Sequence, residues 1–241
     1  MSVEKLKSII SSSSNIVFFG GAGVSTESNI PDFRSEKGIY NTKSKYGYSP
    51  EYMLSHTFFI EHTDEFFEYY KNQMIYKDEK PNQAHLALAK LEQEGKLKAV
   101  ITQNIDGLHQ HAGSRNVLEL HGSVQRNYCM KCNKSFDLDY VLDASTTPKC
   151  DACKGIVKPD VVLYEEMLGQ DILNRAGQAV YHADVLIVGG TSLAVYPAAG
   201  LVEYYRGNKL VLINLSATPY DNRADLIIRD SIGKVLQKAI S

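Results

Sequence analysis

All four cysteines of this 241-residue chain fall within one short stretch, where they form two C-x-x-C pairs. The spacing is Cys129-x2-Cys132-x17-Cys150-x2-Cys153. Two such pairs supply the four thiolates of a tetrahedral Zn²⁺ site, and this spacing is typical of a zinc ribbon. Because four thiolates leave no coordination position open, the pattern predicts one structural zinc ion that stabilises the segment and takes no part in chemistry.

Short apolar runs rich in β-branched residues recur through the rest of the chain and predict buried parallel strands. They lie at 15–20, 97–102, 117–120, 184–190, 209–214 and 226–228. Helical patterns separate several of them, at 1–14, 82–94, 170–182, 197–205 and 231–240. This alternation predicts an α/β fold with an open, Rossmann-like parallel sheet. Two stretches interrupt it: an aromatic and charged one at 36–80, interpreted as a helical module, and the cysteine insertion at 124–158.

The charge and apolar patterns exclude several classes of protein. A formal net charge of -2 gives no basic footprint for nucleic acid. No apolar run approaches the ~20 residues that span a bilayer, and the N-terminus lacks the apolar run of a secretory signal. The sequence therefore predicts a cytoplasmic protein without a membrane or nucleic-acid partner, and a reducing compartment favours metal binding by the cysteines over disulfides.

Small or polar residues follow five successive predicted strands. These segments are 20–26, 103–109, 121–122, 190–193 and 214–216. Because parallel strands end at one edge, where open α/β sheets bind ligands, the segments predict a nucleotide site. The first loop resembles a dinucleotide-binding turn, but it lacks the third glycine and the acidic residue expected about 20 residues later, so an ordinary dehydrogenase is not favoured.

Several residues in these loops are candidates for chemistry. His121 ends a predicted strand, and an imidazole is suited to act as a base near neutral pH. Asn104 and Asp106 share an N-x-D-G sequence, for which ordinary turn formation is the alternative interpretation. His109 and His111 flank that loop and are interpreted as structural or solvent-facing.

Taken together, the motifs resemble the sirtuins of bacterial type, which are NAD-dependent protein-lysine deacetylases. The matching motifs are GAGVSTESNIPDFR, TQNIDGLH, LHG, the two C-x-x-C pairs, KPDVV, GTSLAVYPA and IN, and they extend from Asn15 to Leu236. The resemblance implies a Rossmann-like NAD-binding domain formed by 1–35, 81–123 and 159–241. It also implies a small domain in which 36–80 form the helical module and 124–158 the zinc-binding module.

The same resemblance implies a role for individual residues. His121 would be the general base, acting with Asn104 and Asp106. The NAD-binding residues would be Ala22, Thr26, Phe33, Arg34, Gln103, Ile105, Asp106, Gly190, Thr191, Ser192, Asn214, Leu215 and Ile232. Val161, Val162 and Tyr164 would bind an acetylated lysine peptide or protein as an added strand. The products would be nicotinamide, free lysine and O-acetyl-ADP-ribose.

The chain departs from the family pattern at two places, and two other functions are compatible with the sequence. Leu163-Tyr164-Glu165-Glu166 replaces the usual aromatic-Gly-Glu, which leaves peptide preference undetermined. Glu68 and Lys71 are matched to a Tyr and an Arg that serve acidic acyl groups in desuccinylating members, so neutral acyl groups are expected here. Protein ADP-ribosylation and nucleic-acid binding by a zinc ribbon are the alternatives. The sequence does not fix the oligomeric state, with which a monomer is consistent.

Overall fold

Six parallel strands form the central sheet of a computed structural model that describes residues 2–33, 38–39 and 47–240. The strands are β1 (Ile16–Gly20), β2 (Leu97–Thr102), β3 (Val117–Glu119), β7 (Val185–Gly189), β8 (Lys209–Ile213) and β9 (Leu226–Ile228). Across the sheet they lie in the order β3-β2-β1-β7-β8-β9. All six coincide with the predicted runs, and only their ends differ.

The central strand β1 explains why these runs are apolar throughout. All of its residues are buried, because β2 and β7 flank it and both faces of the sheet are covered. Phe18 packs on one face and Phe19 on the other, as the alternation of side chains along a strand requires. Burying an aromatic side chain of this size stabilises the fold by about 1.5–3 kcal/mol.

Helices cover the two faces of the sheet unequally. The α-helices are α1 (Ser2–Ser12), α2 (Pro50–Met53), α3 (His56–Glu61), α4 (Thr63–Gln73), α5 (Gln83–Gln93), α6 (Leu108–His111), α7 (Leu138–Asp143), α8 (Gln170–His182) and α9 (Ile232–Ile240). Helices α1, α5 and α9 pack on one face. On the other face lie α8 and a 3-10 helix, Ala198–Tyr204. The 197–205 pattern was thus correctly placed but forms a tighter helix than an α-helix.

Helix α5 shows how local sequence sets an element's ends. The Asn82 side chain accepts from the Ala84 N–H at 2.9 Å, and the Asn82 N–H donates to His85 Nδ1 at 3.2 Å. This reciprocal arrangement satisfies N–H groups that the first turn of a helix leaves unpaired. Gly95, with φ of 73°, adopts the left-handed conformation that ends the helix.

A second, smaller unit has its own sheet and its own core. Strands β4 (Gly122–Cys129), β5 (Ser135–Phe136) and β6 (Val157–Val161) pair antiparallel in the order β5-β4-β6. Helices α2, α3, α4 and α7 pack with this sheet around one apolar cluster, called here the small-unit core. Residues of both sequence insertions contribute to that cluster, so they share one core. The predicted domain boundaries at 123/124 and 158/159 fall inside β4 and β6.

An ion-pair network ties the two units together beside the end of β3. The Arg126 Nε donates to Asp160 at 2.8 Å, and its NH1 donates to Glu119 at 2.6 Å. Asp160 lies on β6 and Glu119 on β3, so one guanidinium bridges strands of both sheets. Within the described part of the chain, no helix is both long enough and apolar enough to cross a bilayer.

Candidate functional site

Two loops meet backbone to backbone at the carboxyl edge of the sheet. The Gly23 N–H donates to the Gly190 carbonyl at 2.8 Å. A Cβ on Gly23 would lie 2.8 Å from the Gly190 Cα, and one on Gly190 would lie 2.4 Å from the Val24 nitrogen. Gly190 also has a positive φ of 60°. Glycine is therefore required at both positions by close approach, and this contact fixes the loop after β1 against the loop after β7.

A second set of contacts joins three loops through side chains. Gln103 Nε2 donates to the Thr191 hydroxyl at 3.0 Å. Asn214 accepts from the Thr191 N–H at 3.1 Å and donates to the Thr191 carbonyl at 2.8 Å. Thr191 is thus held from both sides, by the loop after β2 and by the loop after β8. These contacts bring three predicted cofactor residues together.

Asn104 and Asp106 are joined by a serine that the sequence analysis did not select. Asn104 Nδ2 donates to Ser25 Oγ at 3.0 Å, and that hydroxyl donates to Asp106 at 2.7 Å. The other carboxylate oxygen of Asp106 accepts from the Leu108 N–H at 2.9 Å. Ser25 is buried. A serine in a glycine-rich loop is also an ordinary turn residue, so its sequence signal is weak.

His121 is held in one orientation by a backbone carbonyl. Its Nδ1 donates to the Gln103 carbonyl at 2.9 Å. That bond places the proton on Nδ1 and leaves Nε2 as an acceptor, for which no described residue provides a partner. Burial lowers the pKa of His121 below its usual value, although the bond to Gln103 acts in the opposite direction. The imidazole is therefore neutral at pH 7.

Two further imidazoles lie buried behind this site. The rings of His85 and His109 meet edge to face, with centroids 4.7 Å apart. His109 was interpreted as structural or solvent-facing, and it is buried, whereas His111 is exposed. Loss of hydration lowers the pKa of His85 to about 4 and that of His109 to about 3. Both rings are therefore neutral packing groups near neutral pH.

The remaining predicted cofactor residues differ in their exposure to solvent. Thr26 and Ser192 are exposed, and the apolar side chain of Leu215 is 73% exposed. Phe33 and Ile105 pack against the small-unit core, where the two units meet. Ile232 is buried, and a Cβ on Gly189 would lie 2.2 Å from its Cδ1. Ala22 is half-buried, and Arg34 lies outside the described residues.

The predicted substrate segment already uses its backbone donors. The Val162 N–H donates to the His121 carbonyl at 3.0 Å, and the Tyr164 N–H donates to the Leu54 carbonyl at 3.0 Å. The N–H of Leu163 donates to the Glu166 carboxylate at 2.9 Å. Val161 pairs with Gly122 within the small sheet. The Leu163 carbonyl accepts from the Glu166 N–H at 3.1 Å and the Tyr164 carbonyl from the His56 N–H at 3.0 Å, so among the described residues only the Val162 carbonyl of 162–164 is left for an added strand.

The match of Glu68 and Lys71 to an acyl-binding pair is wrong. Glu68 is exposed, and Lys71 Nζ donates to the Ala144 carbonyl at 2.5 Å, across the contact between α4 and the segment after α7. The residues of α4 that face the small-unit core are their neighbours, among them Phe67 and Tyr70, which are also three apart. A shift of one residue turns a helix by about 100°, so the sequence match fell on its outer face.

The four cysteine sulfurs form a closed cluster. All four lie within 4.8 Å of one another, with Cys129 and Cys153 3.4 Å apart and Cys132 and Cys150 3.6 Å apart. Four thiolates at ~2.3 Å from a tetrahedral Zn²⁺ would be about 3.8 Å apart, so the cluster fits this ion.

The two C-x-x-C turns, called knuckles here, have the same backbone design. Asn133 and Lys154 both have positive φ, and their N–H groups donate to the carbonyls of Cys129 and Cys150 at 2.9 Å. A Cβ on Gly155 would lie 2.9 Å from the Cys129 sulfur, so glycine is needed beside the cluster. The chain thus forms the four-sulfur geometry through its own turns.

The edge of the sheet also fits a dinucleotide. Asn104 Oδ1, His121 Nε2 and the Ser192 hydroxyl have no hydrogen-bond partner among the described residues, although each lies in or beside a loop of the site. Leu215 offers an exposed apolar surface beside Asn214. Unpaired polar groups next to an apolar patch are what a ligand with both sugar hydroxyls and an aromatic base requires.

Comparisons with known proteins agree with this geometry. A model of the Sir2 family matches residues 21–197. The chain is 67% identical over 239 residues to an NAD-dependent protein deacetylase of Clostridium acetobutylicum, covering 99% of this chain and 98% of that protein. It is 70% identical over 234 residues to one of Clostridium tetani, covering 97% and 95%.

Solved structures match over the whole chain as well. A Sir2 variant with a deacetylated p53 peptide and 3'-O-acetyl-ADP-ribose superposes with a TM-score of 0.89 at 38% identity, covering 100% of both chains. A Sir2 homologue bound to NAD gives 0.89 at 41% identity, covering 98% of this chain and 92% of that one.

Proposed function

This chain belongs to the Sir2 family, and on that premise we propose which of its residues carry out the reaction. The protein is an NAD-dependent protein deacetylase, acting on acetylated lysines of proteins and giving nicotinamide and O-acetyl-ADP-ribose. The predicted family, fold, activity, NAD requirement and zinc site are confirmed. The roles of single residues and the domain division are proposals.

NAD would be held by the loops at the carboxyl edge. When bound, NAD would supply the ribose carbon that the acetyl carbonyl oxygen attacks as nicotinamide leaves, and the ribose hydroxyl that carries the acetyl group in the product. We assign its binding to the residues predicted from the sequence, with Gln103, Thr191 and Asn214 acting as one linked group. Leu215 provides apolar surface for the adenine end, and Asp106, whose oxygens accept hydrogen bonds, suits the N–H donors of a carboxamide. Arg34 keeps its assignment from sequence alone.

His121 is the proposed general base. Its proton sits on Nδ1 because the Gln103 carbonyl accepts it, so Nε2 is free to take a proton from a ribose hydroxyl. Burial keeps the imidazole neutral at pH 7, which is the protonation state that a base needs. This anchored, neutral ring at the end of β3 is the observation that carries the assignment.

Ser25 belongs with Asn104 and Asp106 as a positioning residue. The hydroxyl receives the Asn104 amide and donates to Asp106, so the three side chains hold one another in place. In this arrangement the side-chain oxygen of Asn104, Oδ1, stays available to accept a hydrogen bond from a water molecule or a ribose hydroxyl. We assign Asn104 and Asp106 to the catalytic group on this basis.

The two units would act as separate domains with the site between them. The division into 1–35, 81–123 and 159–241 against 36–80 and 124–158 is supported by separate apolar cores, with the boundary strands shared. Val161, Val162 and Tyr164 would bind the substrate as an added strand, for which the Val162 carbonyl is available. A cytoplasmic location is supported by four cysteines that form no disulfide in a zinc-binding arrangement.

His121→Ala tests the assignment of the base. Turnover of an acetylated peptide with NAD, followed by mass spectrometry, should fall about 10²- to 10⁴-fold. Calorimetry should show that NAD still binds, because His121 is not among the residues assigned to hold it. His111→Ala changes an exposed histidine ten positions before His121 (121 − 111 = 10); it is the matched control and should keep wild-type turnover.

Retained turnover in His121→Ala would remove that residue as the base. The same spectra separate the alternative reaction, because transfer to a protein acceptor adds ADP-ribose to the peptide, whereas deacetylation removes only the acetyl group.

A further inference from the structure

An open groove runs along the outer surface between α8 and the 3-10 helix Ala198–Tyr204. Its volume is about 800 Å³. Leu173, Gly177, Gly200 and Leu201 line it, together with tyrosines 181, 196 and 204. None of these side chains has a place in the catalytic site described above. The groove therefore has no assigned role in the reaction.

The glycine in the middle of α8 keeps the groove open. Gly177 sits inside a helix, where glycine costs about 1 kcal/mol relative to alanine. Packing does not demand it, because a Cβ there would meet nothing closer than the Leu201 Cδ2 at 3.9 Å. Its φ is not positive either. The missing side chain leaves space on the face of α8 that looks towards the 3-10 helix.

The rim of the groove is aromatic, and its two charged side chains make hydrogen bonds within the protein. Tyr181, Tyr196 and Tyr204 are 52%, 68% and 56% exposed. Glu203 accepts from the Tyr220 hydroxyl at 2.8 Å and pairs with Arg223, while Arg206 donates to backbone carbonyls. Tyrosines are enriched where proteins bind polypeptides, and rim charges that are already engaged by protein groups leave apolar and aromatic contacts as what the groove offers.

One end of the groove lies at the edge of the sheet that holds the site, because of the topology. Helix α8 leads into β7 and the 3-10 helix follows β7, so both begin at the carboxyl edge of the sheet. At that end stand Gln170 and Tyr196. The segment before Gln170 contains Tyr164 and the 92% exposed Met167, and the segment before Tyr196 contains Thr191 and Ser192. These two segments therefore connect residues assigned to the site with the two elements that form the groove.

We propose that this groove binds a part of the substrate polypeptide that lies several residues away from the acetyl-lysine, in extended form and through apolar or aromatic side chains. The proposal rests on the substrate-binding role assigned above to Val162 and Tyr164. Helix α8 has 13 residues and is therefore about 20 Å long. An extended chain at ~3.3 Å per residue would place about six residues along it. The groove would thus add sequence preference at a distance from the reacting lysine.

Peptide affinity on the full-length protein tests this. Fluorescence anisotropy would compare a short acetyl-lysine peptide with versions lengthened by six residues on either side, the extension being either Leu/Phe-rich or Gly/Ser. We expect the Leu/Phe extension on one side to lower Kd about five- to tenfold, and the Gly/Ser extension to leave it unchanged. Gly177→Leu, which fills the groove, should abolish the gain. Leu86→Ser, an exposed residue on the opposite face, should keep it.

Tyr181→Ser provides a second variant that removes part of the rim without adding bulk. Equal Kd values for all peptides on the wild-type protein, or an undiminished gain in both groove variants, would overturn the proposal. Turnover of the short peptide with NAD tests the assigned deacetylase site separately, since the affinity measurement needs no turnover. Failure of the catalytic assignment and failure of the groove are therefore distinguishable.

Discussion

The buried pair His85 and His109 should make the fold sensitive to acid. His85 accepts from the Asn82 N–H through Nδ1, while its Nε2 and both nitrogens of His109 have no hydrogen-bond partner among the described residues. Burial lowers the pKa of each ring, to about 4 for His85 and about 3 for His109. Below pH 6.5 the unfolded chain takes up protons at these residues and the folded chain does not. Stability is therefore complete above the unfolded pKa and is lost as pH falls through it.

The size of the loss follows from linkage. At pH 5 an unfolded histidine lies about 1.5 pH units below its usual pKa of ~6.5, which favours the unfolded state by about 2 kcal/mol. Both folded pKa values lie below 5, so neither ring recovers a measurable part of this energy at that pH. The pair should therefore lower the free energy of unfolding by about 4 kcal/mol between pH 7.5 and pH 5.

His109→Phe isolates one of the two contributions. Phenylalanine keeps a ring beside Phe18 and His85, whose centroids lie 6.2 and 4.7 Å from that of His109. Urea unfolding at pH 7.5 and pH 5 should show a loss about 2 kcal/mol smaller in this variant than in the wild type. His111→Gln, on the exposed side of the same helix, should keep the wild-type loss.

Equal losses in the wild type and His109→Phe would refute this reasoning. That result would mean that His109 takes up its proton in the folded state, through a hydrogen-bond partner such as a buried water. An overall drop in stability at both pH values, with the difference between them reduced, would still support it.

Two other structural features lead to direct tests. Removing zinc with a chelator should expose the backbone amides of β4 and β6 to hydrogen exchange while the six-stranded sheet stays protected, because Cys129 and Cys150 belong to the small-unit core. Unchanged exchange in metal-free protein would contradict a structural role. Gly190→Ala should lower the free energy of unfolding in urea by more than about 1 kcal/mol, since the position has a positive φ and lies against Val24; Gly177→Ala is the matched control and should be neutral or stabilising, and equal effects would be evidence against the contact.

The parallel sheet was predictable because burial on both faces leaves a local signal. Every residue of β1 and β7 is buried, so each appears in the sequence as an unbroken apolar run. The antiparallel sheet was not found, since β6 reads VKPDV and alternates between buried and half-buried positions. Its partner β4 lies far away in sequence, and no local pattern specifies pairing across that distance.

The candidate site was predictable in its location more than in its contacts. Polar residues after successive strands located the edge, and the joining of Gln103, Thr191 and Asn214 follows from that edge. Ser25 was missed because its role depends on two partners about 80 positions away. The sequence match placed Glu68 and Lys71 on the inward face of α4, but packing decides which face of a helix turns inward, and a sequence match carries no information on packing.

The two knuckles expose their cysteines unequally, and this decides which thiolates are oxidised first. Cys129 and Cys150, the first cysteine of each knuckle, are buried, whereas Cys132 is exposed and Cys153 partly so. Oxidants and competing chelators react with the thiolates they reach. With zinc bound, attack starts at the outer pair, and the inner pair is the last to let the ion go. Oxidative inactivation of this enzyme would thus begin at the surface of a module that carries no catalytic residue.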